Sequence, residues 1–207
     1  MAGNLAAAAG CAAGYVIGSV PFGLIVGRVA GGVDVRDVGS GNIGTTNVLR
    51  AAGAKAGAVT FALDVAKGAA AVGLARRLGA DHAGQAAAGL AACVGHSWPA
   101  FARFRGGKAV ATAFGALVMV APETAVVSTV AGLGALALTR TVSVGSLAAA
   151  GSAPFGGALE SVRSHSAVPF VFTTLAATLV IVRHAPNIRR LLRGEEPQLP
   201  SRFWSRS

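Results

Sequence analysis

Seven apolar stretches separated by short polar segments make up most of this chain. They cover residues 5–29, 51–74, 83–94, 110–120, 125–138, 144–159 and 168–182. A helix that crosses a bilayer needs about 20 mostly apolar residues, and several of the stretches are shorter than that. Short or broken helices are stable in a membrane where their backbone lines a polar cavity. The pattern therefore predicts an all-α integral membrane protein with about seven transmembrane helices, some of them short or broken.

The composition supports the membrane class. Hydrophobic residues make up 53% of the 207 residues and charged residues 13%, and the mean hydropathy is +0.61. A soluble domain carries about 25% charged residues. Pro21 lies inside the first stretch, where it is expected to kink the helix. Cys11 and Cys93 lie in apolar stretches and are too few for a disulfide framework or a zinc site, so we expect both to be small core residues.

The basic residues predict how the chain lies in the membrane. With the N-terminus outside, seven crossings place residues 28–55, 96–108, 139–146 and 183–207 on one side. These segments hold fourteen of the 18 lysines and arginines, including Arg202 and Arg206 in the tail. Such an excess marks the cytoplasmic face, so the polar, glycine-rich loops and the C-terminus are predicted to be cytoplasmic.

The same distribution bears on other function classes. The net charge of +10 follows the ends of the apolar stretches and the tail, so it does not indicate nucleic-acid binding. No lysine or arginine precedes Arg28, so the first stretch lacks the basic region of a secretory signal peptide and is predicted to be a retained span. We expect a single domain over residues 1–207, with a flexible basic tail over about residues 194–207.

The first polar loop contains the sequence Gly-Ser-Gly-Asn-Ile-Gly-Thr-Thr-Asn-Val-Leu-Arg at residues 39–50. Glycines allow turns with positive φ, and such turns aim several backbone N–H groups at one anion. Ser40 and Thr46 add hydroxyl groups, and Arg50 adds a permanent charge. The loop therefore predicts a phosphate site, although a flexible connector has the same composition. Residues 39–44 also match a dinucleotide fingerprint, which we reject because it needs a βαβ unit and the flanks here are apolar stretches of membrane length.

Asp64 and Lys67 are charged residues inside the second apolar stretch. Three residues apart on a helix they share a face, and charges inside a membrane generally face the interior of the bundle. Two interpretations remain open, a structural ion pair near the membrane surface and a direct role in catalysis, and the first is favoured.

Polar residues recur after the third stretch. His96 precedes a glycine pair, Gly106 and Gly107, and Lys108 follows directly. Histidine suits proton transfer near neutral pH, and a lysine behind two glycines can meet a phosphate that the backbone already holds. A structural histidine and a lysine that extends to the membrane surface are the alternatives.

Two further pairs lie at predicted helix starts on the same face. Ser143 and Ser146 lie three residues apart, with Ser143 as the expected N-cap, so both hydroxyls could meet an anion at the helix N-terminus. His184 and Asn187 share a helical face after the last stretch, where ordinary tail structure is the alternative.

Taken together, these segments resemble the membrane acyl-phosphate:glycerol-3-phosphate acyltransferases of bacteria. The resemblance covers nearly the whole chain and rests on six ordered matches, at residues 18–23, 39–50, 63–68, 95–108, 140–146 and 183–188. Two positions depart from the family's pattern. Ala109 stands where the family usually has glycine and would restrict the loop if that position needs a positive φ. Thr45 stands where alanine is common.

The resemblance implies transfer of a fatty acyl group from acyl phosphate to the sn-1 hydroxyl of glycerol 3-phosphate at the inner cell membrane, the first acylation step of phospholipid synthesis. Acyl phosphate is already activated, so no cofactor and no metal are expected, and positioning with charge neutralisation supplies the catalysis. The expected partners are the two substrates and membrane lipid, with the soluble enzyme that makes acyl phosphate as a further candidate. Nucleic acid is not expected as a partner. The protein is expected to be a monomer.

The resemblance also carries roles over to residues of this sequence. The candidate catalytic residues are Ser40, Asn42, Arg50, His96 and Lys108. The candidate substrate-binding residues are Gly41, Gly44, Thr46, Asn47, Gly106, Gly107, Ser143, Ser146, His184 and Asn187. The general base is left open between His96 and a phosphate oxygen of the substrate. The acyl chain is expected in an apolar groove lined by residues 70–74 or 111–118.

A transporter or exchanger of a small phosphorylated anion is the alternative from a different class. Broken helices and phosphate-binding helix ends are typical of such proteins as well. The chain shows no internal repeat of two corresponding halves, and its polar residues lie on one predicted face instead of at the bilayer midplane. Both observations favour the enzyme.

Overall fold

A computed structural model describes residues 2–199 of the chain. Over that range the chain forms nine α-helices, a short 3₁₀ turn at Ala100–Ala102 and no β-strand. The helices are α1 (Ala2–Gly18), α2 (Phe22–Gly31), α3 (Thr45–Arg77), α4 (His82–Ser97), α5 (Val110–Val120), α6 (Pro122–Thr139), α7 (Val142–Ser164), α8 (Val168–Arg183) and α9 (Ala185–Leu192). The predicted all-α class is confirmed. The tail residues Arg202 and Arg206 lie outside the described residues.

Four segments of the described chain are long and apolar enough to cross a membrane. They are Gly3–Gly31, which joins α1 and α2, and the helices α3, α6 and α7. Helices α8 and α9, bent by 60° between them, make a fifth if the pair is counted as one span. Helix α4 has 16 residues and α5 has 11. The prediction of short and broken helices is therefore confirmed.

The first span is broken where proline was expected to kink it. Helix α1 ends at Gly18 and α2 begins at Phe22, so the break contains Pro21. The break leaves the carbonyl of Val20 outside regular helix, and Lys67 Nζ donates a hydrogen bond to it at 3.1 Å. An irregular backbone segment thus supplies a partner for a charged group inside the bundle.

Glycines bring two pairs of helices into close contact. A Cβ atom at Gly18 of α1 would overlap the carbonyl of Ala92 in α4, and one at Gly115 of α5 would overlap the carbonyl of Val65 in α3. In a membrane, where lipid is as apolar as the helices, such close packing is a main source of attraction between them. The α1–α4 and α3–α5 contacts therefore form a closely packed half of the bundle.

The other half consists of α6, α7 and α8. Helix α6 packs along α7, and α7 packs along α8, whereas α6 makes few contacts with α5 beyond the tight turn that joins them at Ala121. A large cavity lies between α5 on one side and α6, α7 and α8 on the other.

Three sequence-based expectations are corrected by the structure. Residues 45–50, predicted as loop, form the first turns of α3. Ser143 is not an N-cap, because α7 begins at Val142, two residues earlier than predicted. Thr141 occupies the cap position with extended backbone, φ −114° and ψ 112°. Cys93 is buried as expected, but Cys11 is only partly buried. The first two corrections move polar side chains onto the N-terminal turns of helices.

Candidate active site

A cavity of 390 Å³ opens at the end of the bundle where α3, α5, α7 and α9 begin, which we call the polar face. Its mouth is lined by polar residues of loops and helix starts, among them Ser40, Arg50, Lys108 and Asn187. Its deeper part is lined by apolar residues of α5 to α8. The cavity therefore joins a polar entrance to an apolar interior.

Four helices direct their N-termini to this mouth. Helix α3 follows Gly44, α5 follows Ala109, α7 follows Thr141 and α9 follows His184. Within the described residues, none of these four starts has a side-chain cap hydrogen bond. First-turn N–H groups and the positive ends of four helix dipoles therefore remain available to a ligand. The backbone alone therefore gives the mouth a positive potential of the kind found at anion sites.

The glycine-rich loop before α3 is shaped by Asn47. Gly39 and Gly41 have φ values of 61° and 66°, which glycine adopts without strain. The side-chain oxygen of Asn47 accepts a hydrogen bond from the N–H of Ser40 at 3.0 Å, and its amide donates to two loop carbonyls at 2.6 and 3.0 Å. Asn47, predicted to bind substrate, therefore uses its side chain to hold the loop.

A charged cluster anchors the other end of that loop. Asp34 accepts hydrogen bonds from Arg36 at 2.6 and 2.9 Å and from Arg28 at 2.9 Å. The guanidinium group of Arg36, with that of Arg28, holds the pKa of the Asp34 carboxyl well below its usual range. The cluster therefore stays charged near neutral pH and ties the end of α2 to the loop.

Arg183 fixes the second glycine loop. Its Nε donates to the carbonyl of Gly107 at 3.0 Å and its Nη2 to that of Gly106 at 3.2 Å. On its other side, the N–H of Gly107 donates to the carbonyl of His96 at 3.0 Å, and a Cβ at Gly107 would overlap the His96 ring. The two glycines do not themselves line the cavity, but they carry Lys108 to it.

Lys108 reaches the mouth in a group of charged residues. Burial lowers the pKa of Lys108 to about 8, Glu196 acts in the opposite direction, and Arg190 and Arg50 lower it further. The ammonium group is therefore mostly protonated at pH 7 but close to its titration range. A bound phosphate would stabilise the charged form.

His184 faces the mouth as a neutral ring. Its Nδ1 lies 2.8 Å from the carbonyl of Val180, which only accepts hydrogen bonds, so Nδ1 carries the proton and Nε2 is an acceptor. Burial lowers the pKa of His184 to about 4. At pH 7 the ring can therefore accept a hydrogen bond from a hydroxyl group, but it does not supply a positive charge.

Glu196 and Arg190 also lie at the mouth, although the sequence pattern did not single them out as site residues. Glu196 accepts hydrogen bonds from Asn187 at 2.5 Å and from Arg190 at 2.7 Å, and its side chain is 7% exposed. The N–H of Leu199 donates to the carbonyl of Arg140 at 2.8 Å. Residues 194–199 of the expected flexible tail thus fold back against the site. The sequence signal is the acidic pair at residues 195–196, which follows the basic residues of α9 after Arg193 and Gly194.

Asp64, Lys67 and His96 form a buried charged group beside the cavity. Lys67 Nζ lies 2.9 Å from Asp64 Oδ1, and His96 Nδ1 lies 3.6 Å from the same oxygen. The predicted shared helical face of Asp64 and Lys67 is confirmed. Both side chains are 2% exposed, so each charge depends on the other for its stability in the bundle.

The apolar part of the cavity follows one of the two faces predicted for an acyl chain. Ala111, Phe114 and Leu117 of α5 line it, in agreement with the prediction of residues 111–118. Residues 70–74 do not, because Val72 packs in the core against Ala116.

A second cavity of 200 Å³ lies beside the mouth. The residues that it shares with the larger cavity are Ser40, Asn42, Lys108, Asn187 and Arg190. Two neighbouring spaces with shared basic and amide groups can hold two anions side by side.

The structure brings most of the predicted site residues together. The twelve that line the large cavity are Ser40, Asn42, Gly44, Thr46, Asn47, Arg50, His96, Lys108, Ser143, Ser146, His184 and Asn187. Gly41, Gly106 and Gly107 do not line it and instead shape the loops that carry their neighbours.

Comparison with known proteins gives matches over nearly the whole chain. Residues 8–194 match the family model described as glycerol-3-phosphate acyltransferase. A glycerol-3-phosphate acyltransferase of Anaeromyxobacter dehalogenans is 47% identical over 205 residues, which cover 96% of this chain and 100% of the relative. One of Rubrobacter xylanophilus is 47% identical over 197 residues, which cover 91% of this chain and 93% of the relative.

Solved structures give the same result. The crystal structure of PlsY, an integral membrane glycerol 3-phosphate acyltransferase, in its glycerol 3-phosphate form aligns with a TM-score of 0.86 and 36% identity. The alignment covers 96% of this chain and 98% of that one. The lysophosphatidic acid form aligns with a TM-score of 0.84 and 35% identity over 96% and 99% of the two chains.

Proposed function

Because this chain belongs to the glycerol-3-phosphate acyltransferase family, we propose that its cavity transfers a fatty acyl group from acyl phosphate to the sn-1 hydroxyl of glycerol 3-phosphate. The products are lysophosphatidic acid and inorganic phosphate. The observation that carries the proposal is the union, in one space of 390 Å³, of an anion-binding mouth and an apolar interior. Acyl phosphate has the same division into a charged head and an apolar chain.

The chain is a multi-pass membrane enzyme, and we infer that its polar face lies in the cytoplasm at the inner cell membrane. The excess of basic residues on that face supports this orientation. Acyl phosphate would then arrive from the cytoplasmic side, either from the leaflet or from the soluble enzyme that makes it. The enzyme is proposed to act as a monomer, because residues of one chain line the cavity within the described part of the structure.

Glycerol 3-phosphate is proposed to bind where α7 and α9 begin. Arg50 and Lys108 supply positive charge for its phosphate, and Ser143, Ser146 and Asn187 supply polar groups. Nε2 of His184 is an acceptor, so it can bind a glycerol hydroxyl and orient it.

Acyl phosphate is proposed to bind along the glycine-rich loop at the start of α3. The N–H groups of that helix start, with Ser40, Asn42 and Thr46, face its phosphate, and the chain extends into the apolar interior. The second cavity leaves room for two phosphate groups around Lys108. Cations between the two anions reduce their repulsion and allow both substrates to bind together.

The chemical step is direct transfer. The sn-1 hydroxyl oxygen attacks the carbonyl carbon of acyl phosphate, the bond between that carbon and the phosphate oxygen breaks, and phosphate leaves with the electron pair. Negative charge that develops on the carbonyl oxygen is met by preorganised N–H groups of the glycine-rich loop. The hydroxyl proton passes to a base, and no coenzyme or metal takes part in the proposed step.

Two groups are candidates for that base. His96 lines the cavity, but it is only 4% exposed and its Nδ1 faces Asp64. A phosphate oxygen of the substrate, with a second pKa of about 6, can accept the proton without any side chain. Near-normal turnover of a folded His96→Ala variant would exclude the histidine, whereas a loss of more than about a hundredfold would support it.

The function is tested with purified protein in detergent, palmitoyl phosphate and glycerol 3-phosphate. We expect phosphate release that depends on glycerol 3-phosphate and is matched one to one by lysophosphatidic acid, with no coenzyme or metal added. A folded protein that binds glycerol 3-phosphate but releases no phosphate would contradict the proposal and favour a transporter. Arg50→Glu should abolish the reaction, and a substantial remaining rate would refute its assigned role.

A further inference from the structure

The apolar part of the cavity has a floor. Its deepest lining residues are Ser128 on α6, Ala153 on α7 and the neighbours Phe172 and Thr173 on α8. Along α7, Ala153 lies ten residues beyond Ser143 at the mouth, which corresponds to about 15 Å at 1.5 Å per residue. Along α8, Thr173 lies eleven residues from His184, about 16 Å. The helices therefore reach the floor at the same depth.

Close helix contacts seal the space behind this floor. A Cβ atom at Gly157 would overlap Thr173 Oγ1, and one at Gly156 would lie 2.9 Å from Thr124 Cγ2. Directly behind them, Glu160 accepts hydrogen bonds from the N–H of Thr124 at 2.9 Å and from its hydroxyl at 2.7 Å. Backbone contact and a buried carboxylate thus tie α6, α7 and α8 together. A chain that enters from the mouth cannot continue straight beyond this point.

We propose that this floor sets the length of acyl chain that the enzyme accepts most readily, an inference that rests on the proposed function. An extended polypeptide advances about 3.6 Å per residue, which has three backbone bonds, so an extended chain advances about 1.2 Å per bond. The depth of about 15 Å therefore corresponds to about twelve bonds of an acyl chain. Chains of about that length fill the cavity. Longer chains must turn at the floor, toward α5 and α6, which make few contacts with each other.

The hydroxyl group of Ser128 also disfavours acyl chains that reach the floor. It is 4% exposed, and its hydroxyl has no hydrogen-bond partner among the described residues. An acyl chain that reaches the floor covers this hydroxyl with methylene groups and excludes water from it, which is unfavourable. Removal of the hydroxyl should therefore favour longer chains.

The test measures kcat/KM with a series of acyl phosphates from decanoyl to octadecanoyl. Ala153→Leu fills the floor, and the three added carbons should displace about three methylene groups of a long chain, a loss of about fiftyfold for hexadecanoyl phosphate. Decanoyl phosphate, which ends before the floor, should be transferred at close to the wild-type rate. Gly151→Leu is the matched control, because Gly151 lies on the same helix, is exposed and has no heavy atom within 4 Å of a Cβ.

Each outcome decides between the alternatives. A selective loss of long chains in Ala153→Leu, and a relative gain of long chains in Ser128→Ala, would support the floor. Unchanged chain preference in both variants would overturn it. If Ala153→Leu also loses the transfer of decanoyl groups, its fold is impaired. The dependence of kcat/KM on chain length in Ser128→Ala then decides whether the floor limits the acyl chain. A wild-type protein that uses no acyl phosphate of any length would instead contradict the proposed function.

Discussion

The guanidinium group of Arg183 lies over the indole ring of Trp98, with its central carbon 5.1 Å from the ring centroid. Its N–H groups point to the carbonyls of Gly106 and Gly107. Arg183, at the end of α8, therefore contacts both the second glycine loop and the ring of Trp98 and holds the two together. Since that loop carries Lys108, we infer that Arg183 is a positioning residue for the proposed phosphate site.

Arg183→Gln should raise the KM for glycerol 3-phosphate by about tenfold or more, because hydrogen bonds from a charged donor contribute about 1.5–3 kcal/mol each. The kcat at saturation should change less, and Arg183→Lys should lie in between. In a Trp204→Phe background, the emission of Trp98 should shift when Arg183 is replaced. Arg189→Gln, an exposed change on α9, is the control. Unchanged KM together with unchanged Trp98 emission would contradict the positioning role.

The lowered pKa of Lys108 predicts that activity falls as the pH rises above neutral. Its pKa is lowered to about 8 in the free protein, so the cation that we propose attracts phosphate is present below pH 8 and lost as the pH rises through that value. The kcat/KM for glycerol 3-phosphate should therefore fall with a midpoint of about 8. Lys108→Arg stays charged throughout this range, so its falling limb should disappear. An identical limb in wild type and Lys108→Arg would assign the titration to another group.

Asp64 and Lys67 predict strong coupling inside the bundle. Asp64→Leu leaves the Lys67 charge buried and without its carboxylate, which should cost about 3–5 kcal/mol of unfolding free energy. Asp64→Leu with Lys67→Met should recover part of this loss, as measured by unfolding in mixed detergent. Arg163→Gln breaks the exposed Arg163–Glu123 pair, 2.6 Å apart, and should have little effect. Additive effects of the two core changes would show that the ion pair is not coupled.

The conformation of Ala109 predicts that its replacement by glycine costs little stability. It has a φ of 59°, a left-handed conformation that costs an L-residue about 1–2 kcal/mol. Ala109→Gly removes this strain, which offsets the lost methyl burial and the greater entropy of the unfolded chain, each about 1 kcal/mol or less. Ala88→Gly, at an equally buried position inside α4, has no such compensation. The unfolding free energy of Ala109→Gly should therefore exceed that of Ala88→Gly by about 1–2 kcal/mol, and equal losses would contradict the strain.

The apolar stretches, the break at Pro21 and the ion pair of Asp64 and Lys67 could be predicted from sequence because each has a local signature. Stretch length, proline chemistry and three-residue spacing are properties of a few neighbouring residues. The glycine-rich loops were found for the same reason. The expectation that Ala109 would matter if its position needs a positive φ also depended only on the local pattern, and the structure confirms that φ.

The rest depends on contacts that no local pattern contains. Residues 45–50 were predicted as loop because they are polar and precede the apolar stretch that begins at residue 51, yet they form the first turns of α3. Threonine and asparagine are weak helix formers, so tertiary packing outweighs their local preference here. Glu196 was missed because an acidic residue in a polar tail looks solvent-exposed until the chain folds back at Gly194, with φ 71°. The sequence did not decide whether residues 70–74 or residues 111–118 line the acyl groove, because the burial of Val72 in the core depends on its tertiary contacts. Which faces meet is decided by the whole bundle.

The convergence of four helix N-termini also bears on how the enzyme responds to its own product. A potential made by backbone N–H groups does not titrate, and it attracts an oxyanion whatever the anion is attached to. Inorganic phosphate should therefore compete with glycerol 3-phosphate, seen as a KM that rises with added phosphate while the maximal rate holds. Lipid synthesis would then slow as phosphate accumulates, a feedback that needs no separate regulatory site.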